Sequence, residues 1–246
     1  MADASLRTFA LPEMIRLSAA LRVCTVGSTS TEAAADAVVR EVFDAFVDGD
    51  GVHECVLVRY YQTLAYAELP EELQEFARGA LTEQPWSELP CLTLLATVGV
   101  EPAWNDRRLS QSHCCIPLPS AETVDRSPMI AQLISQLGLE LSALIEPDPA
   151  VIVDLDQKQY NVFHVPDALG SPYVPAQDDF VVPYDVRSAL GFGGMLPTGD
   201  MFALVLFSRA PVSRETADLF RTVALSVKVG VLAVSGATFE PSGPAA

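Results

Sequence analysis

A long apolar ribbon near the carboxyl end constrains this chain more than any other stretch. Residues 180–194 and 201–208 are rich in Val, Phe and Leu, and Leu196-Pro197-Thr198-Gly199-Asp200 separates them. Runs this apolar and β-rich, closed by Pro and Gly, suit strands covered on both faces. The short turn makes them a hairpin, and Gly199 is free to take positive φ there. Pro183 has no N–H to give to a ladder, so the first strand must begin irregularly or lie partly at an edge. A helix over 213–234 follows, capped by Ser213, with Phe220, Val223, Ala224, Val227 and Val231 on its core face. Gly191-x-Gly193-Gly194 is not a phosphate loop, because no helix starts after it and no Lys-Ser/Thr pair follows. These glycines fit a bulge or a close approach of two backbones.

The rest of the chain supplies layers to cover the hairpin. Residues 11–23 read as a helix with Pro12 in its first turn and a stripe of Met14, Ile15, Leu17, Ser18 and Leu21. Thr29 and Glu32 have capping-box spacing and open a second helix, which Gly49 and Gly51 stop. Strands are expected over 53–67, 91–100 and 113–118, with a short helix over 71–81 between the first two. Ser127 and Pro128 start an amphipathic helix to about 145, followed by short strands over 151–155 and 160–165. A long loop then runs from 167 to 179, and loops of that length are often functional. The whole is α+β: a central antiparallel sheet with helices packed on it, an amphipathic N-terminal helix and a long C-terminal helix. Residues 1–28 form a helical arm, 29–235 the main domain and 236–246 a flexible tail.

Charge and cysteine usage narrow the partners. Fifteen basic residues against 32 acidic ones leave a formal charge of −17, which opposes binding to nucleic acid or to an anionic membrane surface. The five cysteines are odd in number and two are adjacent, unlike a secreted disulfide framework. No apolar run reaches a membrane span and residues 1–10 lack a signal-peptide core, so a cytoplasmic location is expected.

The hairpin and its closing helix resemble the GAF family of sensory domains. The matching pieces are Val181-Val182-Pro183, Val186-Arg187-Ser188-Ala189-Leu190-Gly191-Phe192-Gly193, the strand 201–207, and a closing helix with Thr216-Ala217, Phe220 and Val223-Ala224. The helix over 31–47 fits the opening helix of that family, so the resemblance spans about residues 30–234. It implies a sensory domain of bacterial signalling proteins with a pocket between the sheet and inserted helices. It also implies a small ligand or a signalling partner protein, and a homodimer.

Several residues are candidates for chemistry within that frame. His164 stands before the long loop, where it can hydrogen-bond a ligand, ligate haem or be satisfied by backbone. The loop offers Ser171, Tyr173 and Gln177 among stiffening prolines, either as ligand-binding groups or as a cover for the core. Arg187 is the cation of the hairpin's first strand, suited to an anionic ligand or to an ion pair with Asp185 or Asp179. Cys91, Cys114 and Cys115 are the redox candidates, with Cys91 and Cys114 able to meet across a sheet. Adjacent cysteines on a strand point to opposite faces, so His113-Cys114-Cys115 is a poor metal site, and none is assigned. No Gly-x-Ser-x-Gly elbow or His-Glu-x-x-His motif occurs, and no catalytic residue is assigned. The reading favours a non-enzymatic regulatory domain whose ligand and cofactor the sequence leaves open. A cysteine-based redox enzyme or redox sensor on the same fold is the alternative.

Overall fold

The computed structural model describes residues 4–81, 83–125, 127–137 and 162–240. Six strands form one sheet: β1 (Cys55–Ala65), β2 (Pro90–Gly99), β3 (Cys115–Pro117), β4 (Val162–Val165), β5 (Ser188–Met195) and β6 (Met201–Ser208). Their order across the sheet is β3-β2-β1-β6-β5-β4, and every neighbouring pair is antiparallel. The hairpin therefore lies inside the sheet, with β6 against β1 and β5 against β4.

The first strand of the hairpin is shorter than its apolar run. β5 starts at Ser188 rather than at residue 180, and residues Gln177–Val181 form a single π-helical turn instead. Pro183 cannot donate to a ladder, and Asp185 takes φ 54°, so the chain bends before it can pair. Beyond that bend the register is unbroken from Ser188↔Ser208 to Met195↔Met201, so the glycines do not mark a bulge. They permit close approach: a Cβ at Gly191 would sit 2.7 Å from the Leu133 side chain, and one at Gly193 would strike the backbone of Phe202 and Ala203. Gly199, at φ 92°, closes the turn with its N–H bonded to Leu196 O at 3.0 Å.

Strand alternation divides the core into two layers. On one face Val58, Tyr60, Leu190, Phe192, Leu204 and Leu206 meet three helices, α1 (Leu11–Leu21), α2 (Thr31–Ala45) and α6 (Arg214–Leu232). The segment set apart in sequence as an arm joins this layer, burying Leu6, Phe9, Met14, Leu17 and Leu21. The Phe9 ring lies 5.1 Å from Phe220 and 5.3 Å from Phe46. Ser30, not Thr29, caps α2 by accepting the Ala33 N–H at 3.0 Å. α3 (Glu71–Gly79) adds Leu73 and Ala77 to the edge of the same layer.

On the other face Leu57, Tyr61, Leu92, Ala203, Val205, Phe207 and Phe163 are covered by α4 (Ala121–Asp125), by α5 (Pro128–Gln136) and by residues 168–186. The expected continuation of α5 to 145 and the expected strand over 151–155 lie outside the described residues, as does Tyr160. Residues 236–240, expected to fray, dock against the start of α2. Glu32 N donates to Thr238 O at 2.8 Å and Thr31 N to Ala237 O at 3.1 Å.

Candidate functional site

β1 lays Leu57, Arg59 and Tyr61 along one face, two residues apart, because side chains alternate on a strand. Together with Leu92 of β2 and Val205 and Phe207 of β6 they form the floor of a cavity of about 230 Å³. Met129, Ile130 and Leu133 of α5 form its roof, and Pro175, Ala176, Asp179 and Phe180 one wall. Trp104, Ser112 and His113 complete it. A second recess of about 270 Å³, lined also by Ile116, Ser127 and Pro172, shares His113, Met129, Ile130 and Pro175 with the first.

On the aromatic side of the cavity the rings pack against one another. Phe180 stands edge-on to Phe207 with ring centres 5.1 Å apart, and Trp104 packs on Phe180 at 5.6 Å and on Tyr184 at 4.8 Å. The polar side is sparse. Arg59 Nη1 donates to Tyr61 Oη at 3.3 Å and Nη2 to Ser110 Oγ at 3.5 Å, while its buried Nε has no hydrogen-bond partner among the described residues. Burial, with the Arg59 charge nearby, lowers the His113 pKa below the usual imidazole value. His113 and Ala176 both take φ 58°, a left-handed conformation costly for residues with a Cβ. Both line the cavity. The π-helical turn after Ala176 is another irregularity that recurs at functional sites.

Of the residues named from sequence, His113 and Asp179 line the cavity, and the ligand-binding candidates lie elsewhere. His164 is on β4 between Val162 and Val165, facing the α6 side, and its Nε2–H donates to Val212 O at 2.8 Å. It is the backbone-satisfied histidine of those readings. Burial lowers its pKa, opposed by the bond to Val212 O. Gln177 ties its own loop together: Nε2 donates to Val174 O at 2.7 Å and Ala168 O at 3.0 Å, and Oε1 accepts the Gly170 N–H at 2.8 Å. Ser171 Oγ accepts the Tyr173 N–H at 3.3 Å, and neither side chain lines the cavity. Arg187 pairs with Asp185 at 2.8 Å, both exposed. The long loop thus does border the cavity, but through Pro175, Ala176 and Asp179.

The cysteines are all free. Thr93 pairs with Cys115 across β2 and β3, which sets Cys91 diagonally beside Cys115 and not beside Cys114. Cys91 Sγ donates to Leu89 O at 3.6 Å and Cys115 Sγ lies 3.9 Å from Thr93 Oγ1; the nearness of the two thiols, with burial, raises the Cys91 pKa, and the same nearness lowers that of Cys115. Cys114 instead donates to Ser110 O at 3.0 Å. Among the described residues no group of three His, Cys, Asp or Glu side chains is placed to hold a metal. Among them, too, no helix is long and apolar enough to cross a membrane.

Arg59, Tyr61 and Trp104 line the cavity and were not picked out in sequence, and Asp179 was named only as a partner for Arg187. One signal was available for Arg59: a single charge in the run Cys55-Val56-Leu57-Val58-Arg59-Tyr60-Tyr61. Trp104 and Asp179 come from segments whose approach to the sheet only the fold decides.

The sheet carries the two terminal helices on one face and the inserted helix and long loop on the other. The fold is GAF-like. No protein-family model matches the sequence, and no curated protein sequence matches it. Among solved structures the chain is similar to the GAF domain of an Acinetobacter phosphoenolpyruvate-protein phosphotransferase, at 13% identity and TM-score 0.42, over 92% of this chain and 96% of that one. It is also similar to the chromophore-binding domain of a bacteriophytochrome from R. palustris, at 11% identity and TM-score 0.44, over 91% of this chain but 62% of that one. A third is an N-acylhomoserine lactone dependent LuxR family transcription factor from Burkholderia cenocepacia, at 12% identity and TM-score 0.36, over 90% and 95%. What these neighbours bind is their own.

Proposed function

We propose that this chain is a non-enzymatic regulatory domain that binds a small molecule between its sheet and α5. One observation carries the reading: a cavity of about 230 Å³ with an apolar floor and roof and a few polar groups at one side. That is the composition of small-ligand sites in general. The left-handed backbone at His113 and Ala176 supports it, since strain of this kind gathers at ligand clamps. Native mass spectrometry of the full chain purified from its producing cell tests it. The expected result is an adduct that denaturation releases and that Met129→Trp, which fills the roof, abolishes. A chain free of adduct that also binds nothing from a cell extract would overturn it.

The state of the site would be passed on through the terminal helices. α6 leaves Leu225, Val229 and Leu232 exposed at helical spacing, a surface suited to a second copy of this chain. Light scattering on Val229→Glu checks this: the expected change is from dimer to monomer.

The contact between Cys91 and Cys115 favours a second reading, a reversible disulfide at the β2–β3 edge. Against it, the two residues are 0% and 1% exposed. Cys24 is half-buried, and burial and Glu41 push its pKa up to about 11. Thiol titration with an aromatic disulfide near pH 7 decides. No cysteine is expected to outpace a free thiol, and a fast-reacting pair would restore the redox reading.

A further inference from the structure

We infer that the ligand is a small apolar monoanion whose carboxylate pairs with Arg59; this rests on the cavity being the binding site. Nine described arginines lie within ion-pair distance of a carboxylate, as expected in a chain with 32 acidic residues. Arg59 is not among them, although Asp179 borders the same cavity. Among the described residues its partners are two neutral hydroxyls at 3.3 and 3.5 Å, the long end of hydrogen-bond geometry, and its Nε has none. A guanidinium has five donors in a rigid fork, and here most of them are unused. Set among Leu57, Leu92 and Phe207 it is also partly out of water, where an opposite charge is attracted more strongly than in solvent. A carboxylate meets that fork with two charge-assisted bonds.

The rest of the cavity defines the rest of the ligand. Leu57, Leu92 and Val205 below, and the Trp104–Phe180 corner beside them, offer apolar and aromatic surface and, among the described residues, no second Lys or Arg. At about 30 Å³ per liquid water, a 230 Å³ space holds about eight waters, or an organic acid of roughly a dozen heavy atoms. A dianion such as a phosphate monoester fits poorly. Among the described residues one arginine faces it, Asp179 lines the cavity and is exposed, and the formal charge of the chain is −17.

Titration calorimetry of the full chain separates this inference from the cavity reading beneath it. The probes are phenylacetate and hexanoate, each against its neutral amide. The acids are expected to bind about tenfold or more tightly than the amides, a difference of about 1.4 kcal/mol per decade. Arg59→Met is expected to erase that preference, and Arg59→Lys, which keeps the charge and loses the fork, to restore part of it. Thermal melts identify any variant that has lost its fold, and the acid–amide comparison in the unaltered chain stands without them. Amides binding as tightly as acids, or a folded Arg59→Met that still prefers acids, would overturn the role of Arg59 and leave the cavity as a ligand site. Failure of all four probes to bind at millimolar concentration would overturn both.

Discussion

Glu32 and Arg107 form a buried ion pair, with Arg107 Nε 2.5 Å from Glu32 Oε1. It ties the first turn of α2 to the segment that follows β2. The other oxygen, Oε2, accepts the Glu240 N–H at 2.8 Å, and the Phe239 ring covers the guanidinium with its centre 5.2 Å away. Glu32 is thus the hub for three parts of the chain far apart in sequence. The same segment leads on to Ser110, Ser112 and His113 at the cavity.

Removing Arg107 leaves the buried Glu32 carboxylate with the half-exposed Arg108, 3.4 Å away, as its remaining cation. Arg107→Met is therefore expected to lower the unfolding free energy by about 3 kcal/mol, the lower end for a broken buried pair, whereas the double variant Arg107→Met/Glu32→Leu should lose clearly less. Urea unfolding of the four proteins in the cycle measures the difference. Equal losses in the single and double variants would show that the lost packing, not the stranded charge, sets the stability.

How far the sequence disclosed this molecule depends on which forces act locally. β6, the turn at Gly199 and α6 follow from apolar runs, a glycine and a serine cap, all of which act over a few residues. The cavity is different, because its walls come from β1, β2, β6, α5 and two loops, brought together only by the fold. Gln177 shows the difficulty: its polarity marked it as a ligand group, but its amide is taken up by backbone of its own loop. His164 shows how one step of strand alternation decides a role: Phe163 and Val165 face the cavity layer and His164 the other, where its ring bonds Val212 O.

Gly193 is the hairpin position at which a side chain cannot be accommodated. A Cβ there would meet the Phe202 carbonyl and lie 2.8 Å from Ala203 Cα, and backbone in the middle of a sheet cannot give way. Gly193→Ala is expected to cost about 3 kcal/mol or more. Gly49→Ala, at an open position, should be nearly silent by comparison. Paired thermal melts of the two variants check this.

Stability should fall as the solution is acidified, in part through histidine. Burial holds the imidazoles of His113 and His164 below their usual value, so the unfolded chain takes up protons before the folded one does. The contribution is complete above the unfolded value of about 6.5 and is lost as pH drops towards the folded values. Melting temperatures at pH 7.5 and 5.5 should therefore differ more for the unaltered chain than for His164→Gln, which keeps a donor for Val212 O and does not titrate.

The loop over the cavity is held by Gln177, which links Gly170, Ala168 and Val174 through its single side chain. It is the residue that begins the π-helical turn, directly after left-handed Ala176. Without those bonds the strained backbone at Ala176 loses what holds it, while the sheet and helices beneath are untouched. Gln177→Ala should then lower global stability by only about 1–2 kcal/mol, the scale of a few partly exposed hydrogen bonds. Amide exchange over residues 168–181 should accelerate by far more than that figure implies for the sheet, because the loop can open on its own. Phenylacetate binding should weaken with it, since Pro175, Ala176 and Asp179 form one wall of the cavity. Exchange mass spectrometry with and without the acid reads both effects. Unchanged exchange in that segment would show that Gln177 does not hold the wall in place.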